Sequence, residues 1–316
     1  MARTAFATTT SARNCSIEGD RMTDYVNPKD LVREAVDLAA RKADLSIKDL
    51  LIRSAMAGAF LGFATSLVFM VYSQGLPPIV GAILFPVGFV ILVLLGLELA
   101  TGNFALLPAG LLAGNVKLSR LLRNWMWVYF GNLIGSLLYV ALFYLAITNW
   151  HTGNGGPVAD LLKQAALNKT VAYAALGGSG WGTAFVKAVL CNWMVTIGAM
   201  LALASRSTLG KIASMWLPIM TFFALGFEHS IVNMFVIPSG MILGAPISIA
   251  QFLFWNLLPV TLGNIVAGSF FTGGALYATY PTSAKRTEIV TPAVASLATD
   301  SQSVFATAPA ASLNPM

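Results

Sequence analysis

The chain has 316 residues, 57% hydrophobic and only 10% charged, with a mean hydropathy of +0.74 and a formal net charge of +6. So apolar a composition excludes a water-soluble globular domain and points to an all-α polytopic membrane protein. The surplus Lys and Arg fall in loops and tails, which gives no sign of a nucleic-acid partner, and no metal-ligand spacing, catalytic triad or cofactor motif is present.

Residues 1–24 read as a disordered tail. The first twenty are rich in Ser, Thr and Ala, with Arg3 and Arg13 and no acid before Glu18. Such a stretch suits an organelle transit peptide, a plain tail, or an upstream extension of a chain starting near Met22. Cys15 lies here and Cys191 lies in an apolar run, so the two are not a plausible bridge. Residues 25–53 form a second region. Leu31, Ala35, Leu38 and Ala39 recur at helical spacing with Asp30, Arg33, Glu34, Asp37 and Arg41 between them. This is an amphipathic helix for the cytoplasmic membrane face or a channel mouth, or else a solvated helical linker.

Residues 54–280 hold six runs able to cross a hydrocarbon core of ~30 Å, at about 54–75, 79–113, 124–148, 183–204, 212–243 and 248–279. Residues 281–316, mostly Ala, Thr, Ser and Pro, read as a disordered tail. The segments before the first run and after the second, fourth and sixth carry Arg41, Lys42, Lys48, Arg53, Lys117, Arg120, Arg123, Arg206, Lys211, Lys285 and Arg286. The opposite connections are short and uncharged, apart from a long third-to-fourth one with Asp160, Lys163 and Lys169. By the bias of basic residues to the inside, both termini are cytoplasmic.

The second and fifth runs exceed one span, and each is interrupted by glycine, glutamate, asparagine and proline. Sliding Leu95–Gly114 by 130 residues superimposes Gly96, Glu98, Asn103, Pro108, Gly110 and Gly114 on Gly226, Glu228, Asn233, Pro238, Gly240 and Gly244. Phe130–Ser136 (FGNLIGS) resembles Leu262–Ser269 (LGNIVAGS), with Asn124 and Asn256 each eight residues before Asn132 and Asn264. The two broken runs point in opposite directions across the membrane, which makes an inverted repeat of three helices. Non-helical backbone at membrane depth is tolerated only inside protein or beside a polar path.

Positions shared by both copies suit the architecture of the break: Glu98 and Glu228 as acceptors for freed backbone amides, Asn103 and Asn233 for other loose backbone groups. Positions that differ are candidates for chemistry. His229 stands opposite Leu99, and Thr101 opposite Ile231. An imidazole and a hydroxyl converging from the two halves can orient a small anion without a fixed charge to trap it. The alternative is structural, with a neutral His229 bonded to backbone and Thr101 capping its own half-helix.

These two broken-helix motifs, above all EHSIVNMF followed by IPSG, resemble the formate/nitrite transporter family. LCNW (Leu190–Trp193), PVTLGN (Pro259–Asn264) and the segment Tyr25–Pro28 add to the resemblance, which covers about residues 25–280. It implies an aquaporin-like six-helix protomer assembled as a homopentamer, with a pore in each protomer. The implied substrates are small monovalent anions: formate and nitrite, or bicarbonate, hydrosulfide or lactate in some branches. By the same resemblance His229 is the central histidine, Thr101 the threonine of the first break, Phe85, Phe89, Leu99 and Phe222 the apolar constrictions, and Asn192 and Asn264 pore-lining asparagines.

Two residues depart from the family pattern: Ala100 replaces an aromatic common beside the threonine, and Lys169 does not align with the outer-vestibule lysine. The TGN after Ala100 is closer to nitrite- and bicarbonate-type branches than to formate channels. Either His229 stays a hydrogen-bond donor, giving an anion channel, or it passes a proton to the weak-acid anion, giving symport. A membrane enzyme using His229 with Ser230 or Glu228, and a non-transporting sensor, are the readings from other classes. The plasma membrane is the expected location, with an organelle envelope if residues 1–20 are cleaved.

Overall fold

A computed structural model describes residues 24–282. The transit-peptide-like stretch, Cys15 and the tails outside these limits lie outside the described residues. Among the described residues every regular element is helical; the single extended pairing is an isolated bridge between Tyr25 and Ser205.

Helix α1 (Pro28–Ala43) starts at a standard stop-and-start signal. Asn27 accepts a hydrogen bond from the Asp30 amide at 3.1 Å, Pro28 occupies the first turn, and Arg41 and Lys42 sit in the last. Its buried face, including Leu31, Ala35 and Ala39, packs on α5 (Ala100–Leu112). Helix α2 (Ile47–Ser73) lies against α6 (Leu118–Ile147) across glycines. A side chain at Gly58 would strike the Asn132 carbonyl, and one at Gly135 the Ala55 carbonyl, so the two backbones meet directly. Between them in sequence, α3 (Pro78–Leu84) and α4 (Pro86–Leu94) are nearly continuous through Phe85, which keeps helical dihedrals although Pro86 brings no amide to the ladder.

The connection read from sequence as a long loop after α6 contains α7 (Gly156–Lys169) and the short α8 (Val171–Ala175). Helix α7 buries Val158, Leu162 and Ala166 against α11 (Ser230–Ile242). Helices α9 (Gly178–Leu203) and α10 (Thr208–Ala224) precede that element, and α12 (Ile249–Thr279) follows it. Two stretches of α12, Leu253–Leu257 and Ala267–Gly274, widen to π geometry. In the second, Gly268 and Gly273 bring its backbone onto Phe104 and Ala105 of α5.

Among the described residues four helices (α2, α6, α9 and α12) are long and apolar enough to cross a membrane, and the shorter apolar helices are Pro78–Leu94, α5, α10 and α11. The first three of the long helices begin several residues before the apolar runs that announce them. Arg53, Arg120 and Arg123 sit within the first two turns of α2 and α6, where Arg120 pairs with Asp44 and Arg123 donates to the Leu45 carbonyl.

Candidate functional site

Each broken run is interrupted in the same way. Helix α4 ends with Gly96 at φ +63°, whose amide bonds the Val93 carbonyl at 3.1 Å while the Leu97 amide reaches Leu92 at 2.9 Å. Helix α10 ends with Gly226 at φ +65°, with the Gly226 amide on Phe223 at 3.0 Å and the Phe227 amide on Phe222 at 3.2 Å. Only glycine adopts this left-handed turn without strain, and the paired bonds satisfy the last carbonyls of the helix. Three residues later the chain is extended at Leu99 (φ −115°, ψ 122°) and at His229 (φ −114°, ψ 120°), and α5 and α11 begin.

The backbone freed by each break is held by an asparagine from a distant helix. Asn132 Oδ1 accepts from the Ala100 amide at 3.0 Å, while its Nδ2 donates to the Ser54 carbonyl at 2.8 Å and the Glu98 carbonyl at 3.0 Å. Asn264 repeats this with the Ser230 amide at 2.9 Å, the Ala188 carbonyl at 2.9 Å and the Glu228 carbonyl at 3.1 Å. This corrects the expectation that Glu98 and Glu228 accept from the freed amides. A side-chain amide carries donor and acceptor together and can bridge both kinds of loose backbone group, whereas a carboxylate only accepts.

The carboxylates face other partners. Glu98 receives Lys42 Nζ at 2.7 Å and Asn103 Nδ2 at 2.8 Å. Asn103 Nδ2 also donates to Asn124, and Asn124 to the Lys42 carbonyl. Glu228 receives Lys169 Nζ at 2.8 Å, Asn233 Nδ2 at 2.7 Å and the Tyr173 hydroxyl at 2.9 Å. Asn233 donates to Asn256, and Asn256 to the Lys169 carbonyl. Asn103 and Asn233 therefore hold side chains rather than loose backbone. Both glutamates are nearly fully buried, and a buried carboxylate of this kind requires a paired cation. The helices supplying the cations, α1 and α7, match as well. A side chain at Gly110 would meet Ala39 and one at Gly240 would meet Ala166, each alanine three residues before the lysine.

Where the two breaks meet, Thr101 Oγ1 lies 3.1 Å from His229 Nε2, with both residues buried. His229 also caps α11, its Nδ1 accepting from the Val232 amide at 3.2 Å. An acceptor at Nδ1 places the single proton of a neutral imidazole on Nε2, directed at Thr101. Thr101 then keeps its own hydroxyl hydrogen for a third group. The histidine is thus both a backbone cap and a partner of Thr101, so the two readings of it from sequence are compatible. Asn192 ties the centre together: its Nδ2 donates to the Thr101 carbonyl at 3.1 Å and to the Asn264 carbonyl at 2.7 Å. Among the described residues its buried Oδ1 has no partner.

Apolar groups flank this pair. The Phe222 ring stacks on the imidazole with centroids 5.8 Å apart, and Phe85 meets Phe222 edge-on at 5.7 Å. Phe89 and Leu99 instead line a cavity of about 480 Å³ that also reaches Glu98, Gly102 and Asn103. The structure thus brings together Thr101, His229, Phe222 and Phe85, and sets Phe89 and Leu99 at a separate vestibule. Asn192 and Asn264 use their amide donors on backbone carbonyls. Sequence reasoning did not assign the bracketing by Asn132 or the contributions of Lys42 and Tyr173. The aligned FGN and LGN segments carried the first signal, while the lysines recur at 127 residues rather than 130 and escape a fixed offset. Among the described residues no cluster of three or more His, Cys, Asp or Glu side chains gathers to hold a metal.

Comparison with known proteins gives the family of the chain. The family model described as "Formate/nitrite transporter" matches residues 29–278. A probable formate transporter of Methanothermobacter thermautotrophicus is 37% identical over 277 residues, covering 81% of this chain and 97% of its own. Among solved structures, one described as an FNT family ion channel superimposes with a TM-score of 0.68 at 27% identity, over 80% of this chain and 99% of its own. Another, described as a pentameric formate channel with formate bound, gives 0.61 at 27% identity, over 75% and 98%.

Proposed function

The chain belongs to the formate/nitrite transporter family, and we propose that each protomer conducts formate or nitrite through its own pore, past Thr101 and His229. The observation that carries this is the 3.1 Å approach of Thr101 Oγ1 and His229 Nε2 from the two opposed helix breaks. The chain is an integral multi-pass membrane protein. Counting each broken run as one crossing, α2, α3 to α5, α6, α9, α10 to α11 and α12 make six spans. The duplicated asparagine brackets and the duplicated lysine, glutamate and asparagine sets support an inverted three-plus-three repeat with an aquaporin-like protomer. The basic loops support cytoplasmic termini, and the pentameric relative supports a homopentamer.

In this reading an anion leaves water at an apolar ring, Phe85 with Phe222 on one side or Phe89 with Leu99 on the other. It then takes hydrogen bonds from Thr101 and His229, the hydroxyl turning toward it and the Nε2–H exchanging Thr101 for substrate. Two neutral donors compensate lost hydration without the trapping well a full positive charge would make. Because Nδ1 is engaged by the Val232 amide, the neutral imidazole has one proton to offer. Passing it on would leave an imidazolate. Proton transfer therefore requires prior protonation at Nδ1, which frees a buried amide at a cost of about 1–3 kcal/mol. The arrangement favours hydrogen-bond donation and electrogenic anion conduction.

Proton-coupled passage of the neutral acid is the second reading, favoured by the wholly apolar Phe85 and Phe222 side chains beside the pair. Formate is the substrate best supported by the names of the relatives. Nitrite and bicarbonate are suggested by Thr101, Gly102 and Asn103, and belong in the same assay. A membrane-enzyme reading needs His229 to engage Glu228 or Ser230. Glu228 instead bonds Lys169, Asn233 and Tyr173, and among the described residues the Ser230 hydroxyl has no partner. The test is anion flux into proteoliposomes bearing wild type, Thr101→Val and His229→Phe, for formate, nitrite and bicarbonate in parallel. Wild-type flux above that of empty liposomes, lost in both variants, supports the assignment; unchanged flux in either variant removes that residue from the path.

A further inference from the structure

We infer that the vestibule lined by Phe89 and Leu99 is also a binding site for a multivalent oxyanion of the phosphate class, held by Arg41, Arg53 and Lys211 in the path of the permeating ion. Arg41 reaches this cavity from α1, Arg53 from α2 and Lys211 from α10, three helices far apart in sequence. The only carboxylate in its wall, Glu98, is already paired with Lys42 at 2.7 Å. Among the described residues, none of the three cations has an ion-pair partner, so no carboxylate offsets their charge at the cavity. Arg53 and Lys211 are moreover half-buried, so they are screened less by water than surface cations.

Three positive charges facing one cavity are not compensated by a single formate. A phosphate ester or pyrophosphate brings two or more negative charges and oxygens suited to the guanidinium fork. The cavity of about 480 Å³ holds such a group with its remaining water, since pockets for small ligands run from about 300 to 1,000 Å³. The aligned positions of the other half do not repeat this cluster. Aligning the halves through Lys42 with Lys169, Ser54 with Ala188 and the glycine repeat puts Asn168 opposite Arg41 and Gly81 opposite Lys211. Only Arg53 meets a cation, Lys187. The site is therefore one-sided, and an occupant would stand between bulk solvent and the Phe89 and Leu99 wall. Occlusion of flux rests on the anion-channel reading above; binding does not.

The test uses the full chain in phosphatidylcholine nanodiscs, with equilibrium dialysis of radiolabelled pyrophosphate. The expected result is saturable binding to wild type, weakened at least about tenfold in the Arg53→Gln/Lys211→Gln variant, as loss of charge-assisted hydrogen bonds requires, and weakened less in Arg53→Lys, which keeps the charge and loses the fork. In proteoliposomes, pyrophosphate on the vestibule side slows formate flux in wild type and not in the double variant, each read against its own flux without pyrophosphate. Absence of wild-type binding, or binding unchanged by the double substitution, overturns the site. Binding without slowed flux overturns its position in the conduction path. Repeating dialysis in phosphatidylglycerol nanodiscs separates the sources: unchanged affinity assigns the site to a soluble oxyanion, and displacement overturns that in favour of a lipid headgroup.

Discussion

The His229 side chain does two jobs with its two nitrogens, and substitutions can separate them. Asparagine at 229 keeps an acceptor for the Val232 amide, since asparagine is among the best helix caps, but its shorter side chain does not reproduce the ring nitrogen beside Thr101. His229→Asn is therefore expected to keep thermal stability in detergent within about 1 kcal/mol of wild type while losing most formate flux. A parallel loss of both would mean the histidine acts only as a cap. In the proposed path the Thr101 hydroxyl, not the methyl, is the donor. Thr101→Ser should retain flux, and Thr101→Val should lower it about ten- to a hundredfold, the kinetic equivalent of a missing donor of about 1–3 kcal/mol. Stopped-flow influx reads both. The pair itself was visible in the sequence, because a histidine and a threonine break the symmetry of an otherwise matched repeat. The Asn192 link to the Thr101 carbonyl was not, since only the tertiary fold brings α9 to that carbonyl.

At the scale of elements, each break depends on a helix that lies far from it in sequence. Asn132→Leu or Asn264→Leu leaves a buried amide and two carbonyls without their partner. Each should destabilise the protomer by at least about 1–3 kcal/mol, the cost of a single unsatisfied group, read as a lowered unfolding temperature. Lys169→Met leaves Glu228 charged and unpaired in the interior, an expected loss of about 3–5 kcal/mol. Adding Glu228→Gln should restore part of it, and a double variant as unstable as the single would show that the ion pair is not what holds α7 to the break. Lys42→Met should behave like Lys169→Met, because Glu98 is held in the same way. The breaks were legible because glycine and proline mark them locally. What satisfies them was not: hydrogen-bond partners of Glu98 and Asn132 are chosen by packing, and a carboxylate and an amide look alike in sequence as candidates for loose backbone. Helix α7 was hidden for a related reason, its apolar stripe being short and interspersed with Asp160, Lys163 and Lys169.

Over the whole molecule, the two halves share a break, an asparagine bracket and a lysine-bearing helix, and differ at the centre, where Thr101 and His229 have no counterparts. Family and helical class were legible from the duplicated motifs, while the division of work between shared and unshared residues needed the contacts. The amino-terminal segment is fastened to the turn after α9, where the Asp24 carboxylate accepts from the Ser207 amide at 2.6 Å and the Arg206 amide at 2.9 Å. The Ser207 amide, chiefly, holds the Asp24 carboxyl below the usual carboxylate range despite some desolvation. Its contribution is fully present above the ordinary carboxylate value and is lost only as pH falls through the lower folded value. This fastening thus stays intact in mildly acidic to neutral buffer, and Asp24→Asn should leave the pH profile of formate flux unchanged there. The most direct test of the central claim is formate uptake by proteoliposomes under a potassium diffusion potential set with valinomycin, at equal pH inside and out. Uptake that rises with an inside-positive voltage, and is lost in His229→Phe, is the expected result for an anion passing two neutral donors. Uptake indifferent to voltage and driven only by an imposed pH gradient would contradict it and assign proton transfer to the histidine.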